Sequence, residues 1–253
     1  MRYRALFLSD IHLGTRDAQV ERLLEFIKTH EADHLYLLGD IIDGWELGRR
    51  WRWPQSHSNL IQKLLRAARK GTSITYVVGN HDDFLRPFLP ITLGERLFIV
   101  DRAEYTTPDG RRYALVHGDM FDSITMTKKW LALLGDKSYL LLLRLNRPLA
   151  KIRSLLGFRR HWSLSQFAKR SVKQAVAYID DYETILSTFA KEEGVDGVIC
   201  GHIHEAANKM MNGIHYLNCG DWVESCTAVA HCYDGSWMIL DANKDLSDPL
   251  LYR

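Results

Sequence analysis

Cysteine is scarce in this chain of 253 residues: Cys200, Cys219, Cys226 and Cys232 are the whole complement, and no two form a C-x-x-C pair. That excludes a disulfide-built scaffold and a thiolate zinc site, and reads as four reduced thiols in a cytoplasmic protein. Long apolar runs are missing too. None is longer than Tyr139 to Leu143, which falls far short of the roughly 20 residues a membrane span requires. The apolar stretch behind Arg2 and Arg4 stops at Asp10, too early for a signal-peptide core. There is no internal repeat and no low-complexity tract. Acidic residues are almost absent from one segment. Between Ser123 and Lys173, twelve Lys or Arg stand against Asp136 alone, a net +11 where the whole chain carries only +2, which leaves −9 on the rest.

What is present is an ordinary globular balance, 46% hydrophobic and 25% charged, in a chain long enough to bury a large core. The first half alternates short apolar runs with helical periodicity. Ala5–Ser9, Leu35–Leu38 and Ser73–Val78 read as buried strands. Val20, Leu23, Leu24 and Ile27 share one helix face, and so do Leu60, Ile61, Leu64, Leu65 and Ala68, with Gly71 as C-cap. This βαβαβ pattern predicts a mainly parallel sheet. The second half is richer in hairpins, with Asp109-Gly110, Asn212-Gly213 and Asp234-Gly235 as turns around further strands. Two packed mixed sheets with helices outside, interrupted by the basic segment, satisfy the whole pattern.

Five short motifs each follow an apolar strand: Asp10-Ile11-His12, Gly39-Asp40, Gly79-Asn80-His81-Asp82, His117-Gly118-Asp119 and Gly201-His202-Ile203-His204. Ligands of α/β sheets gather at the carboxyl ends of strands, so these residues are expected to converge. A set of His, Asp and an Asn carbonyl, without thiolate, suits Mn²⁺, Fe or Zn²⁺ in mixed nitrogen and oxygen ligation. Each motif alone is more often a turn, a cap or a surface feature. Their joint occurrence in order is what points to a metal site.

In that order the five motifs resemble the calcineurin-like metallophosphoesterase superfamily. The resemblance runs from residue 10 to residue 204. It implies a four-layer α/β/β/α sandwich of two mixed sheets, a single domain over 1–253 with a helical insertion, or cap, at 123–173. It also implies two divalent metal ions, Mn²⁺ first and Fe or Zn²⁺ as alternatives. Asp10, His12, Asp40 and His204 would hold one ion and Asp40, Asn80, His117 and His202 the other, with Asp40 bridging. A shared carboxylate offsets the repulsion of two cations roughly 3.5–4 Å apart, and water between them becomes acidic enough to ionise near neutral pH. His81 is then free to give a proton or hydrogen bond to a phosphoryl or leaving oxygen, with Asp82 expected to fix its tautomer.

Within the superfamily the layout is similar to the UDP-2,3-diacylglucosamine pyrophosphatase group. The shared features are size, the Leu-Gly-Asp-Ile-Ile-Asp-Gly-Trp stretch at 38–45, the insertion after His117-Gly118-Asp119 and the late Gly-His-x-His. This implies cleavage of a lipid-linked UDP-sugar to UMP and a lipid sugar 1-phosphate in lipid A synthesis, with peripheral contact at the inner face of the inner membrane. The leucines and cations of 123–173 suit acyl chains, anionic phosphates or a membrane surface, and equally a helical hairpin packed on the sheet. Candidate substrate contacts are Asn80, His81, Asp122, Lys169, Arg170 and Lys173. Two differences stand out: typical members carry Arg where this chain has His81, and a Thr-Asp-Asp just after the His-Gly-Asp motif where this chain reads Met120-Phe121-Asp122-Ser123-Ile124-Thr125. A soluble phosphodiesterase or phosphatase acting on nucleotides or nucleic acid therefore stays open as the alternative. A metal-free scaffold is disfavoured because all seven ligand positions are filled. The loop from Asp43 to Trp53, with three Trp among three Arg, is a second candidate surface for a base or phosphate.

Overall fold

The computed structural model describes residues 1–122 and 164–245, and the side chains of 1–122 and 178–244. Contact density divides the chain into Met1–Met120 with Leu186–Arg253, and Phe121–Ile185. Most of the expected basic insertion, 123–163, lies outside the described residues.

The first unit is built on two mixed sheets. β1 (Arg2–Leu8), β2 (Glu31–Leu38), β3 (Ser73–Val77) and β5 (Leu97–Val100) run parallel, and β4 (Ile91–Leu93) joins one edge antiparallel to β5. β11 (Thr227–His231) and β12 (Trp237–Asp241) extend the other edge as a hairpin, to give the order β12-β11-β1-β2-β3-β5-β4. The second sheet has the order β6-β7-β8-β10-β9, from β6 (Ala103–Thr106), β7 (Arg112–Leu115), β8 (Gly197–Cys200), β9 (Ala207–Met211) and β10 (Ile214–Asn218). In it β7, β8 and β10 are parallel while both edge strands are antiparallel.

Alternation in β1 shows how the layers stack. Leu6 and Leu8 face a core that also takes Val20, Leu23, Phe26 and Ile27 of α1 (Val20–Thr29). The same core takes Leu60 and Leu64 of α3 (Gln55–Arg69). Ala5 and Phe7 face a second core, shared with Tyr105, Tyr113, Leu115, Ile199 and Leu217 of the other sheet. A strand buried on both faces has no polar side to spare, which is why these runs are continuously apolar. The last turns of α4 (Leu164–Glu192) bury Leu186 and Ala190. The sandwich of two mixed sheets with flanking helices is as the sequence predicts.

Gly71 closes α3 at φ +112°, a left-handed geometry that glycine adopts at no steric cost. Two elements are not foreseen by periodicity. One is the three-residue edge strand β4. The other is α2 (Gly44–Arg49), which occupies the start of the Trp–Arg loop and is capped by the Asp43 carboxylate accepting from Glu46 N–H at 2.7 Å.

Candidate metal centre

All five motifs lie at carboxyl ends. Asp10 and His12 follow β1, Asp40 follows β2, Asn80 and His81 follow β3, His117 follows β7, and His202 and His204 follow β8. Register brings these ends level: Leu8 pairs with Leu37, Leu38 with Val77, and Leu115 with Ile199. Past the strand ends the ladder continues through single bonds, Asp10 N–H to Gly39 O at 3.1 Å and His12 N–H to Asp40 O at 2.9 Å.

The backbone at this rim is unusual. Asp10, His12, Asp40, His202 and His204 all have φ between 52° and 73°. L-residues other than Asn and Asp avoid this left-handed region, and such conformations persist only where surrounding bonds hold them. Here the Asp10 carboxylate accepts from His202 N–H at 3.0 Å, and Asp40 accepts from His81 N–H at 2.8 Å, so the loops brace one another. Packing is close enough to require glycine at two positions. A Cβ on Gly79 would sit 2.3 Å from Asp40 Oδ1, and one on Gly201 would sit 2.4 Å from Asp10 Oδ2.

Three groups of side chains converge among the described residues, one of them His12, Asp43 and His81, and the other two made of expected ligands. In the first, His204 Nε2 lies 3.2 Å from Asp10 Oδ1, and His12 Nε2 lies 3.9 Å from both Asp10 Oδ1 and Asp40 Oδ2. In the second, His117 Nε2 is 3.3 Å from Asp40 Oδ2 and 3.3 Å from His202 Nδ1. The opposite nitrogen of His117 faces the Leu38 carbonyl at 2.9 Å, which fixes the ring. Asp10 Oδ1, His12 Nε2 and Asn80 Oδ1 are buried without a hydrogen-bond partner. Unmet buried polar atoms are costly, and three of them among the expected ligands fit residues arranged for cations.

The electrostatics agree. Burial works against charge on His117, but the Asp40 and Asp10 carboxylates outweigh it and hold its pKa up to about 10. Burial likewise opposes ionisation of Asp40, yet His117 and the His81 N–H keep it well below the usual carboxylate range. The rim is thus a field that favours positive charge. His, Asp and Asn donors without sulfur suit divalent ions of borderline or hard character.

The role expected of Asp82 is not what the structure shows. Its carboxylate is fully buried and accepts three backbone N–H groups, Ile42 at 2.7 Å, Ile41 at 3.1 Å and Gly79 at 3.2 Å. It ties the β2 and β3 loops together, and burial raises its pKa to about 6. The group at the His81 ring is Asp43, whose Oδ2 lies 2.9 Å from His81 Nδ1 and 3.1 Å from His12 Nδ1. Sequence adjacency favoured Asp82. Its side chain instead turns inward, to amides that would otherwise be unpaired. The signal for Asp43 was its position three residues after Asp40, at the start of a helix.

Of the expected substrate contacts, Asn80 and His81 stand at this rim. Asp122 belongs to the Phe121–Ile185 unit. Lys169, Arg170 and Lys173 fall in α4, and their side chains lie outside the described residues. No described helix is long and apolar enough to cross a membrane, and all four cysteines are free.

A family model described as "Calcineurin-like phosphoesterase" matches residues 3–206. The UDP-2,3-diacylglucosamine hydrolase of Porphyromonas gingivalis is 27% identical over 277 residues, spanning 97% of this chain and all of its own. The protein of that name from Cellvibrio japonicus is 30% identical over 210 residues, 80% of this chain and 82% of its own. Among solved structures, an archaeal phosphodiesterase aligns over 94% of this chain and 98% of its own, at 13% identity and a TM-score of 0.45.

Proposed function

Because the chain belongs to the calcineurin-like phosphoesterase family, and is by that membership a metal-dependent phosphoester hydrolase, we propose that it cleaves the pyrophosphate of UDP-2,3-diacylglucosamine or of a closely related lipid-linked nucleotide sugar. The products would be UMP and a diacylglucosamine 1-phosphate. The observation that carries this reading is similarity to hydrolases named for that substrate, which for one of them spans 97% of this chain and all of the relative. Peripheral contact with a membrane surface goes with a lipid substrate, and the +11 charge of 123–173 supports it.

In this reading Asp10, His12, Asp40 and His204 hold one divalent ion, and Asp40, Asn80, His117 and His202 hold a second. Mn²⁺ is the first choice because the hydrolase group that the chain resembles implies it, and the same donors also suit Fe or Zn²⁺. Bound cations supply Lewis-acid charge at the phosphate and acidify water. The chain supplies the rest. The Leu38 carbonyl at Nδ1 holds the His117 ring in a fixed orientation, with Nε2 turned toward Asp40 and His202. Asp43 sits against His81 Nδ1, which leaves Nε2 to carry a proton toward the leaving oxygen. Burial disfavours charge on His81, but the Asp43 and Asp40 carboxylates outweigh it and raise its pKa.

A second reading, a phosphodiesterase acting on nucleotides or nucleic acid, is favoured by one residue. His81 stands where typical lipid-pathway members carry Arg. The test is UMP release from UDP-2,3-diacylglucosamine in detergent with Mn²⁺, beside a generic bis-aryl phosphodiester. Fast lipid-sugar cleavage supports the first reading, and cleavage of the generic ester alone supports the second.

A further inference from the structure

The Trp–Arg loop that the sequence singles out contributes none of the seven expected ligands, yet it borders the site. Trp45 lies against His81, with ring centroids 4.2 Å apart, and remains 48% exposed. Beside it opens a cavity of about 290 Å³, lined by Thr15, Arg16, Asp17, Trp45, Arg49 and the His81–Asp43 pair, with Glu46 at its edge. Arg16 and Arg49 are exposed and have no ion-pair partner among the described residues. Two unpaired guanidinium groups beside a half-exposed indole form a recognisable combination. The guanidinium forks suit phosphate oxygens, the indole offers a face for a flat ring, and Asp17 and Glu46 offer acceptors for hydroxyl groups.

We infer that this cleft is a subsite for one half of the substrate: a ring-bearing phosphomonoester unit whose ring lies on Trp45 and whose phosphate meets Arg16 and Arg49. The inference rests on the hydrolase reading of the adjacent rim, but not on the lipid substrate. A simple diester with two aryl groups has no second phosphate for the arginines. A phosphoanhydride does, and its two halves are both candidates, because a nucleoside phosphate and a glycosyl phosphate share this chemistry.

The experiment uses full-length protein loaded with Mn²⁺ and bis-p-nitrophenyl phosphate as the reporter. UMP and glucosamine 1-phosphate are each titrated as inhibitors against wild type, Trp45→Ala, Trp45→Phe, Arg49→Ala and Arg16→Ala. Arg69→Ala, on α3 and away from the cleft, is the control with unchanged basal turnover. The expected result is that one of the two inhibitors weakens at least about tenfold in Trp45→Ala and in each arginine variant. Trp45→Phe should recover most of the Trp45→Ala loss, and a folding defect would not show that recovery. Which inhibitor responds identifies the half that occupies the cleft. Inhibition constants for both compounds that stay within twofold of wild type across all variants would overturn the inference. Failure of the enzyme to cleave UDP-2,3-diacylglucosamine would leave this outcome untouched, so the two failures are distinguishable.

Discussion

Histidine plays opposite parts in two regions of the molecule. At the rim, His12 presents a buried Nε2 with no partner, and the field of the surrounding carboxylates raises the pKa of His81, His117 and His204. Around Trp237, by contrast, His231 and His215 pair with neutral partners. His231 Nδ1 pairs with Tyr105 OH at 2.6 Å, His215 Nδ1 with Tyr113 OH at 2.9 Å, and His215 Nε2 with Asn208 Oδ1 at 2.9 Å. Burial lowers the pKa of both. Residue type is therefore no guide to a site. The rim differs in having unmet carboxylate, amide and imidazole acceptors, negative charge and left-handed backbone held by cross-loop bonds, and together these describe a place kept ready for cations.

The sharpest way to break this contrast is Asp40→Ala. The carboxylate faces His117, His12 and His81, so its loss should release bound metal and reduce hydrolysis by at least about a thousandfold, read by metal content and by bis-p-nitrophenyl phosphate turnover. Full metal with retained turnover would show that Asp40 is not shared. Next in size, Asp43→Ala should lower turnover by roughly 10- to 100-fold, because both His81 and His12 lose their orienting carboxylate. Asp82→Ala should act differently. Three amides left unpaired cost about 1–3 kcal/mol each at most, so a denaturant midpoint should fall clearly while His81 keeps its partner. If Asp82→Ala instead lowers turnover with the midpoint in place, and Asp43→Ala lowers the midpoint with turnover in place, the two assignments are interchanged.

Much of the rim was legible in advance because each ligand motif sits directly after an apolar strand, and strand ends are where an α/β sheet offers its ligand positions. The amphipathic faces of α1 and α3 were legible for the same reason, since Leu23, Ile27, Leu60 and Leu64 repeat at helical spacing. What could not be read depends on where a side chain turns. Asp82 is next to His81 in sequence but points at the Ile41, Ile42 and Gly79 amides, while Asp43 reaches His81 from another loop. β4 escaped notice because three residues show no periodicity. Left-handed φ at five ligands leaves no mark in composition, because glycine, the usual sign of it, is not the residue used.

Smaller effects test the other side of the contrast. Tyr105→Phe removes the partner of a buried imidazole and should cost about 1–3 kcal/mol without loss of metal. Because the folded pKa of His231 lies below its unfolded value near 6.5, its contribution is fully present above that value and lost as pH falls. Between pH 7 and pH 5, His231→Gln should therefore lose less stability than wild type in urea titrations. Asp82, with a raised pKa of about 6, acts in the opposite sense in both proteins, so the difference between them carries the test. Equal slopes would mean that His231 does not titrate as its burial requires.

The most direct measurement is anomalous scattering from crystals of the full chain grown with Mn²⁺. The account predicts two peaks on either side of Asp40, one among Asp10, His12 and His204 and the other among Asn80, His117 and His202. A single ion held by His12, Asp43 and His81 instead would contradict it, because the carboxylate assigned to orient the histidines would then itself be the ligand.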